Sequence, residues 1–349
     1  MFRHKFEILP LKYTLAHMTP CPLPTDFAER IPVAVAVLAN ARGEVLISQR
    51  HPASHQGGLW EFPGGKIEPR EGNYRALCRE LKEEIDITVS SARPLIRIPH
   101  DYTDRGVSLD VWLVTRWWGT PKGREGQAIA WVAPKDLRAY SFPAADIPII
   151  TAIRLPDTYL ITPEPDWDDV DSFLDTLDRC LSRGVRLVQL RIKQPPTGKA
   201  YRMGYRQLAA RVLARCHARG ARCLLNAEPS LAREMGMHGV HLTSRRLLGE
   251  DAIPARSSND DFLIGASCHN KNELEHACRI GVDFAVLAPV KATKTHPEAT
   301  PLTWERFAAL TRSATIPVYA LGGLSLGDRE TAWERGAQGI AAIRALWDA

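Results

Sequence analysis

The run GGKIEPREGNYRALCRELKEEIDI, residues 64–87, places two glycines ahead of a segment with helical periodicity. From about Asn73 to Ile85, the spacing predicts a helix with one apolar stripe, formed by Tyr74, Leu77, Cys78, Leu81 and Ile85. The neighbouring stripe carries Glu80, Glu83 and Glu84. Like charges at this spacing destabilise a helix by a few tenths of a kcal/mol per pair, so solvent or a cation must offset their repulsion.

Carboxylates that share one helix face suit a hard divalent cation. Oxygen ligands are those that Mg²⁺ or Mn²⁺ prefers, and Mg²⁺ normally bridges protein carboxylates to substrate phosphates. Gly64 and Gly65 allow close approach of the backbone, so the Gly64 carbonyl can join the coordination. Arg79 can hold a carboxylate through a bidentate pair. A solvent-exposed acidic face is the alternative, and the residues that flank the stripe favour the metal.

The segment resembles the Nudix box, G-x5-E-x7-R-E-U-x-E-E-x-G-U, in which U is an apolar residue. Gly65, Glu71 and the run RELKEE at 79–84 match this pattern. Asp86 stands where the pattern has its second glycine, and we expect altered capping of the helix rather than lost chemistry. The resemblance is to the MutT branch, covers about residues 31–150, and includes EFPGGKIE, Asp104-Arg105, WLVTRWWG and GREGQ.

The resemblance implies a reaction and a set of site residues. In this family, water attacks a nucleoside triphosphate and releases the monophosphate and pyrophosphate, with Mg²⁺ or Mn²⁺ as cofactor. The implied metal ligands are Gly64 (through its carbonyl), Glu80, Glu83, Glu84 and Glu125. Glu80 is also a candidate to orient or deprotonate the water, and Arg79 is implied as a catalytic residue. For Glu125, in GREGQ, a plain loop glutamate is the alternative.

The resemblance also implies a base pocket. Arg50, Phe62, Arg105 and the segment FPAAD at 142–146 stand where MutT-type enzymes hold the purine. Asp146 replaces an asparagine there, and a carboxylate only accepts hydrogen bonds unless it is protonated. An 8-oxoguanine lactam offers donors at N1, N2 and N7, so an acceptor-rich pocket is compatible with it. The alternatives are a solvated loop carboxylate for Asp146 and surface arginines for the other two positions.

Length and composition indicate an ordinary globular chain of two domains. The chain has 349 residues, of which 45% are hydrophobic and 24% charged. The net charge of +5 forms no basic block, so we expect no nucleic-acid polymer as partner. No apolar run approaches the roughly 18 residues of a membrane span, so we expect no membrane association. The composition does not indicate the oligomeric state.

The cysteines and the N-terminus predict a cytoplasmic location. Seven scattered cysteines without a CxxC pair suggest reduced thiols rather than disulfides or a zinc site. Residues 1–30 have prolines and charges where a signal peptide needs an apolar stretch, so we expect a poorly ordered N-terminal extension. Either Met1 or Met18 could be the start.

Two patterns follow one another along the chain. Residues 31–152 alternate strand-like runs with the helix described above, which predicts an α+β Nudix fold. After Pro156, eight apolar strands alternate with amphipathic segments, and this rhythm predicts a (β/α)₈ TIM barrel over residues 157–349. An open doubly wound sheet is the alternative, but no GxGxxG follows its first strand.

The barrel half resembles thiamine phosphate synthase and its relative TenI, the thiazole tautomerase. The matching pieces, in order over about residues 158–347, are YLIT, VQLRIK, LLNAE, GVHL, SCH, VLAPV and ALGGL. Gly322-Gly323 follows the seventh strand, where TIM barrels commonly bind phosphate, with a tight turn as the alternative. His269 stands where TenI-like proteins have an active-site histidine, with a structural histidine as the alternative. The candidate barrel ligands are Arg191, Lys193, Asn226, His269, Lys294, Gly322 and Gly323.

Two expected carboxylates are missing from the barrel. Synthases of this family have acidic residues after their I-N-D asparagine and after their V-H-L-G segment, where they hold Mg²⁺-pyrophosphate. Here Asn226 is followed by Ala227, and GVHL by TSRR at 243–246. Without these carboxylates, the pyrophosphate and its metal lose their anchor. We therefore expect a barrel that is degenerate as a synthase.

Three hypotheses follow from the two halves. The first is a Mg²⁺-dependent nucleoside triphosphate pyrophosphohydrolase that removes oxidised purine nucleotides such as 8-oxo-dGTP, a small-molecule substrate. This activity would serve DNA repair and DNA replication through nucleotide pool sanitation, with the barrel as a binding or scaffolding module. In the second, both halves act in thiamine metabolism, on a thiamine-related pyrophosphate and a thiazole phosphate. The third is a sensor whose barrel binds its ligand without catalysis.

Overall fold

The computed structural model describes residues 30–193, 199–249, 260–293 and 298–348. Apart from Arg30, the predicted N-terminal extension lies outside the described residues, and so does Lys294. The chain forms two compact units, of which the first ends at Pro143 and the second contains Pro94–His100 and the chain from Ala144 onward. In the described part of the chain, no helix has the length and apolar character that crossing a membrane requires.

The strands between residues 31 and 132 form two sheets. They are β1 (Ile31–Leu38), β2 (Val45–Gln49), β3 (Trp60–Glu61), β4 (Gly64–Lys66), β5 (Thr88–Asp101), β6 (Gly106–Trp118) and β7 (Ile129–Val132). One sheet has the order β4-β1-β6-β5, with β1 parallel to β6 and antiparallel to β4. The other is antiparallel, with the order β3-β2-β7. This mixed architecture confirms the predicted α+β class.

Helix α1 (Asn73–Ile85) has the predicted bounds and packs its apolar stripe into the core of the first unit. Leu77, Leu81 and Ile85 are fully buried and share one cluster with residues of β1. Each such side chain contributes about 1.5–3 kcal/mol by leaving water, which fixes the rotation of the helix. The acidic stripe is thereby directed away from the core.

Asp86 ends α1 in the left-handed conformation, with φ 57° and ψ 38°. Its N–H donates to the carbonyl of Leu81, and its carboxylate pairs with Lys82 at 2.6 Å and with Lys122 at 3.4 Å. Glycine is preferred in this conformation, and aspartate tolerates it better than most residues do. The expected change in capping is therefore present, and the helix still ends at the predicted residue, Ile85.

The second unit contains a closed barrel of eight strands in the order β10-β11-β12-β13-β14-β15-β8-β9. The strands are β8 (Thr158–Ile161), β9 (Leu187–Leu190), β10 (Arg222–Leu225), β11 (Gly239–Leu242), β12 (Leu263–Cys268), β13 (Phe284–Leu287), β14 (Val318–Leu321) and β15 (Gly339–Ala342). Every neighbouring pair is parallel. The predicted TIM barrel is confirmed, and the open sheet is excluded.

Helices connect these strands. They are α2 (Ile147–Arg154), α3 (Val170–Ser182), α4 (Lys199–Ala218), α5 (Pro229–Glu234), α6 (Ser244–Leu247), α7 (Lys271–Ile280), α8 (Thr303–Thr311), α9 (Arg329–Glu334) and α10 (Arg344–Trp347). Helix α2 is bound to the barrel unit, because Gln338 Nε2 donates to the carbonyls of Ala152 and Leu155 at 3.0 Å each. Residues 147–152 of this helix lie within the range 31–152 that the sequence pattern assigned to the first domain.

Side chains fill the barrel interior, so it is not a pore. The rings of Tyr159 and Phe284 meet edge to face at 5.3 Å. His241 lies beside them, with Nδ1 3.1 Å from the Tyr159 hydroxyl and Nε2 2.9 Å from Ser267 Oγ. Burial lowers the pKa of His241 to about 3, which keeps the ring neutral near pH 7.

Candidate functional sites

The glycine turn before α1 lies directly beneath a carboxylate of the helix. Gly64 pairs with Val35 of β1 and has φ +151°, and a Cβ there would collide with the carbonyl oxygen of Ala34. A Cβ on Gly65 would collide with the carboxylate of Glu80. Gly64 therefore requires glycine because of its backbone, whereas a side chain at position 65 would displace the carboxylate of Glu80.

Arg79 bonds to the carboxylates of Glu71, Glu80 and Glu83. Its Nε and Nη2 donate to the two oxygens of Glu71 at 3.0 and 2.8 Å, and its Nη1 donates to Glu80 Oε1 at 2.8 Å. Nη1 also reaches Glu83 at 3.2 Å. The bonds from Arg79 lower the pKa of Glu71 below its ordinary value. The bidentate pair is therefore present, and the same guanidinium orients Glu80.

Glu84 is partly buried and accepts a hydrogen bond from the Gly64 N–H at 3.0 Å. Burial, together with the charges of Glu61, Glu80 and Glu125, raises its pKa from the ordinary 4.5 to about 8. A carboxylate that is desolvated among like charges is poorly stabilised by the protein alone. A divalent cation bound there would remove that cost.

The loop that carries Glu125 is bound to the end of α1. The N–H of Arg124 and Nε2 of Gln127 both donate to the carbonyl of Glu84, at 2.9 and 3.1 Å. The Glu125 N–H in turn donates to Gln127 Oε1 at 2.9 Å. These bonds bring the Glu125 backbone close to the acidic stripe, although the loop and the helix are about 40 residues apart in sequence.

Glu61 is a further carboxylate at this place, and the sequence pattern did not single it out. It forms an ion pair with Arg50, and burial raises its pKa although the arginine opposes the rise. Its negative charge contributes to the raised pKa of Glu84. A signal was present in the sequence, because Glu61 opens the EFPGGKIE segment that precedes the helix.

The donor set suits Mg²⁺ or Mn²⁺, although the side chains are not gathered around a single point. Among the described residues, no three His, Cys, Asp or Glu side chains form a ready metal cluster. Glu80 and Glu83 both contact Arg79, which competes with a cation for their oxygens. The available donors are nevertheless all oxygens, and the charge surplus around Glu84 favours a hard cation.

Two residues of the predicted base pocket, Arg50 and Phe62, lie near the acidic group that Glu61, Glu80, Glu84 and Glu125 form. Besides pairing with Glu61, Arg50 donates from Nε to the carbonyl of His55 at 2.9 Å, which fixes its guanidinium. Phe62 is 3% exposed and stacks on Phe142 with ring centroids 5.4 Å apart. The stacked ring of Phe142 therefore fixes the orientation of the Phe62 ring.

The other two pocket residues have different surroundings. Arg105 is exposed and pairs with the adjacent Asp104 at 2.8 Å. Asp146 is 7% exposed and belongs to the second unit, in the 3₁₀ turn Ala144–Asp146 that precedes α2. This burial excludes the solvated loop carboxylate that was the alternative for Asp146. The roles of both residues in base binding stay predictions.

The barrel candidates follow the carboxyl ends of their strands. Arg191 and Lys193 follow β9, Asn226 follows β10, and His269 follows β12. The exposed His269 donates from Nδ1 to the carbonyl of Ala288 at 3.0 Å. This bond fixes the tautomer of the ring, and the role of His269 stays a prediction.

Gly322 and Gly323 follow β14 with φ of +108° and +63°. A Cβ on Gly322 would lie 2.7 Å from Cα of Pro289, and one on Gly323 would collide with the carbonyl of Ala292. Backbone geometry alone therefore requires both glycines. A phosphate role for this turn stays a prediction.

Comparison with known proteins assigns each half to a family. Residues 34–152 match the sequence profile described as NUDIX domain, and residues 158–346 match the profile described as Thiamine monophosphate synthase. The first part is 36% identical over 126 residues to 8-oxo-dGTP diphosphatase of Escherichia coli, covering 36% of this chain and 98% of that protein. It is also 37% identical over 118 residues to the CTP pyrophosphohydrolase of that organism, covering 34% of this chain and 87% of that protein.

The second part is similar to a synthase. It is 35% identical over 192 residues to the thiamine-phosphate synthase of Thermus thermophilus, covering 54% of this chain and 88% of that protein. The chain therefore belongs to both the Nudix and the thiamine monophosphate synthase families, and it joins a Nudix hydrolase domain to a synthase-like TIM barrel.

Proposed function

We propose that the protein is a Mg²⁺-dependent nucleoside triphosphate pyrophosphohydrolase for oxidised purine nucleotides such as 8-oxo-dGTP. Its products would be the monophosphate and pyrophosphate. The observation that carries the proposal is the partly buried Glu84, which accepts the Gly64 N–H at 3.0 Å and lies among the charges of Glu61, Glu80 and Glu125. We further propose domain limits of 31–152 and 157–349.

The residues of the acidic group have separate tasks in this proposal. The ligands of Mg²⁺ or Mn²⁺ would be the Gly64 carbonyl, Glu80, Glu83, Glu84 and Glu125. When bound, the cation would neutralise phosphate charge and lower the pKa of a bound water. Arg79 holds Glu80 at 2.8 Å, in a fixed orientation from which its carboxylate could accept the proton of the attacking water. Arg50, oriented by Glu61, would bind a phosphate oxygen.

The substrate choice rests on the relatives and on the pocket residues. Similarity to an 8-oxo-dGTP diphosphatase and the acceptor character of Asp146 support an oxidised purine. Similarity to a CTP pyrophosphohydrolase makes CTP the second candidate. A location in the cytoplasm, where such nucleotides are used, is supported by the described cysteines, all of which are free thiols.

For the barrel we propose a binding or scaffolding role rather than synthesis of thiamine phosphate. Ala227 follows Asn226 at the end of β10, and its side chain cannot coordinate a cation. Arg246, in α6 after β11, adds positive charge and already pairs with the carboxylate of Glu228 at 2.6 Å. A thiamine-pathway function for both halves is the competing candidate, favoured by the similarity to thiamine-phosphate synthase.

A substrate panel tests the proposal. The full-length protein with Mg²⁺ would be incubated with 8-oxo-dGTP, dGTP, CTP, thiamine diphosphate and hydroxymethylpyrimidine diphosphate. We expect the highest kcat/KM for 8-oxo-dGTP. A preference for thiamine diphosphate would favour the thiamine-pathway candidate, and a preference for CTP would favour the second nucleotide.

A further inference from the structure

The loop that carries Glu125, residues 119–128, lies against the last turn of α1. It is an irregular connection between β6 and β7. The N–H groups of Lys122 and Arg124 donate to two carbonyls of that turn, at 3.1 and 2.9 Å. Because the helix and the loop meet here, a residue at the end of α1 can determine where Glu125 is held.

Asp86 adds side-chain contacts to these backbone bonds. Its carboxylate lies 3.4 Å from Nζ of Lys122 and 3.6 Å from Nη1 of Arg124, both of which belong to the loop. The same carboxylate accepts a hydrogen bond from Lys82 of α1 at 2.6 Å. The Nudix box has glycine at this position, and a glycine could form none of these pairs. One carboxylate therefore joins the end of the helix to two cations of the loop.

Contacts within the loop connect these cations to Glu125. Arg124 precedes Glu125 directly, and the Glu125 N–H donates to Gln127 Oε1 at 2.9 Å. Nε2 of Gln127 donates to the carbonyl of Glu84 at 3.1 Å. A Cβ on Gly123 would collide with the carbonyl of Gln127, so the loop is tightly folded on itself. A displacement of its cations therefore displaces Glu125 as well.

We propose that Asp86 is a positioning residue, which holds the loop so that Glu125 faces the carboxylates of α1. This inference rests on the proposed function, because it takes Glu125 as a ligand of the divalent cation. Isolated surface ion pairs contribute little, but three cations around one partly exposed carboxylate form a network. Glycine would end the helix with less backbone strain, yet it would leave the loop with its backbone bonds alone. Capping of the helix and positioning of the loop are therefore separable.

Hydrogen exchange of the full-length protein in EDTA measures the attachment of the loop without a metal. Asp86→Asn keeps the size of the side chain and tolerates the left-handed conformation, but it removes the charge. We expect the amides of residues 119–128 to exchange about threefold faster or more in this variant. Lys122→Gln and Arg124→Gln should each give a smaller rise. Lys82→Gln is the matched control, because Lys82 pairs with the same carboxylate from within α1, and it should leave the exchange of the loop unchanged.

Mn²⁺ binding, followed by electron paramagnetic resonance, measures the consequence for the metal site. We expect Asp86→Asn to weaken Mn²⁺ affinity about threefold to tenfold, the loss that corresponds to two surface ion pairs. The loss should shrink between about 0.05 M and about 1 M KCl, because salt screens exposed charges. In a Glu125→Gln background, Asp86→Asn should cause no further loss, because the charged ligand that it positions is already gone.

Asp86→Gly separates positioning from capping. Glycine adopts the left-handed conformation without strain, so Tm in EDTA should stay equal to that of the wild-type protein or rise. Mn²⁺ affinity should nevertheless fall as it does in Asp86→Asn, because both variants lack the carboxylate. A residue that only ended the helix would instead change Tm and Mn²⁺ affinity in the same direction.

The proposal is overturned if the loop exchanges equally fast in Asp86→Asn and in the wild-type protein, or if Lys82→Gln accelerates it as much as Lys122→Gln does. Additive losses of Mn²⁺ affinity in the double variant with Glu125→Gln would also overturn it, and so would unchanged Mn²⁺ affinity in Glu125→Gln alone. A protein that hydrolysed no nucleotide, but whose Mn²⁺ affinity depended jointly on Asp86 and Glu125, would contradict the proposed function and support the positioning role. The two failures are therefore distinguishable.

Discussion

Replacing Glu84 by glutamine should lower hydrolysis while raising the stability of the metal-free protein. Glutamine keeps the shape of the side chain and can still accept the Gly64 N–H, which lies 3.0 Å from the carboxylate. It removes the negative charge that a cation would bind. We expect hydrolysis of the best nucleotide to fall by about 100-fold or more, because a displaced catalytic metal costs several kcal/mol of transition-state stabilisation.

The stability effect follows from the raised pKa of Glu84. Folding moves this pKa from 4.5 to about 8, so at pH 7 the metal-free native state must take up a proton that the unfolded chain has already lost. The interval between pH 4.5 and pH 7, at about 1.4 kcal/mol per pH unit, gives at most about 3.5 kcal/mol. Glutamine avoids that cost at pH 7, and its advantage should vanish near pH 4.5.

Urea unfolding in EDTA at pH 4.5 and pH 7, together with steady-state hydrolysis in Mg²⁺, measures both effects. Glu68→Gln is the matched control, because Glu68 is an exposed glutamate in the same motif. It should change neither quantity. Hydrolysis by Glu84→Gln at the wild-type rate, or a lower stability than wild type in EDTA at pH 7, would refute the reasoning.

Four further predictions concern the same features. Below the raised pKa of Glu84, protons compete with Mg²⁺ for its carboxylate. The rise in Tm that Mg²⁺ causes should therefore grow from pH 5 to pH 8, while the Tm measured in EDTA falls over the same range. A Mg²⁺-dependent rise in Tm that does not change with pH would contradict this. Gly65→Ala should keep the fold but displace Glu80, so we expect a lower kcat and weaker Mn²⁺ binding, measured by electron paramagnetic resonance. Gly64→Ala should instead lower Tm, because its Cβ would collide with the backbone. Asp146→Ala should change the ratio of kcat/KM for 8-oxo-dGTP and dGTP far more than the maximal rate, and an unchanged ratio would remove it from the pocket. The protein should form no thiamine phosphate from hydroxymethylpyrimidine diphosphate and thiazole phosphate in Mg²⁺, and rescue of a thiamine auxotroph that lacks its own synthase would contradict this.

Local sequence patterns were sufficient to predict the main helix and strands and part of the candidate site. The 3.6-residue periodicity of the segment at 73–85 determines which face of α1 is buried, and that face also determines where the carboxylates lie. The eight apolar runs after Pro156 became the eight strands of the barrel because parallel strands are buried on both faces. The spacing of the motif was sufficient to identify Gly65, Arg79 and Glu80 as site residues.

Contacts between distant segments could not be predicted in this way. The pair between Arg50 and Glu61 depends on the pairing of β2 with β3, and the effect of Glu61 on Glu84 depends on how β3 approaches α1. The contact of Arg246 with Asn226 requires that β10 and β11 lie side by side, so that the segments after them meet. Periodicity determines which face of an element is buried, but tertiary packing determines which charges become neighbours.

Phosphorus NMR of the reaction tests the central proposal most directly. Full-length protein, Mg²⁺ and 8-oxo-dGTP would be followed until the substrate is consumed, with Glu84→Gln as the parallel sample. The proposal predicts equal amounts of 8-oxo-dGMP and pyrophosphate from the wild-type protein and almost none from the variant. Release of orthophosphate with 8-oxo-dGDP, or no turnover of the nucleotide by the wild-type protein, would contradict it.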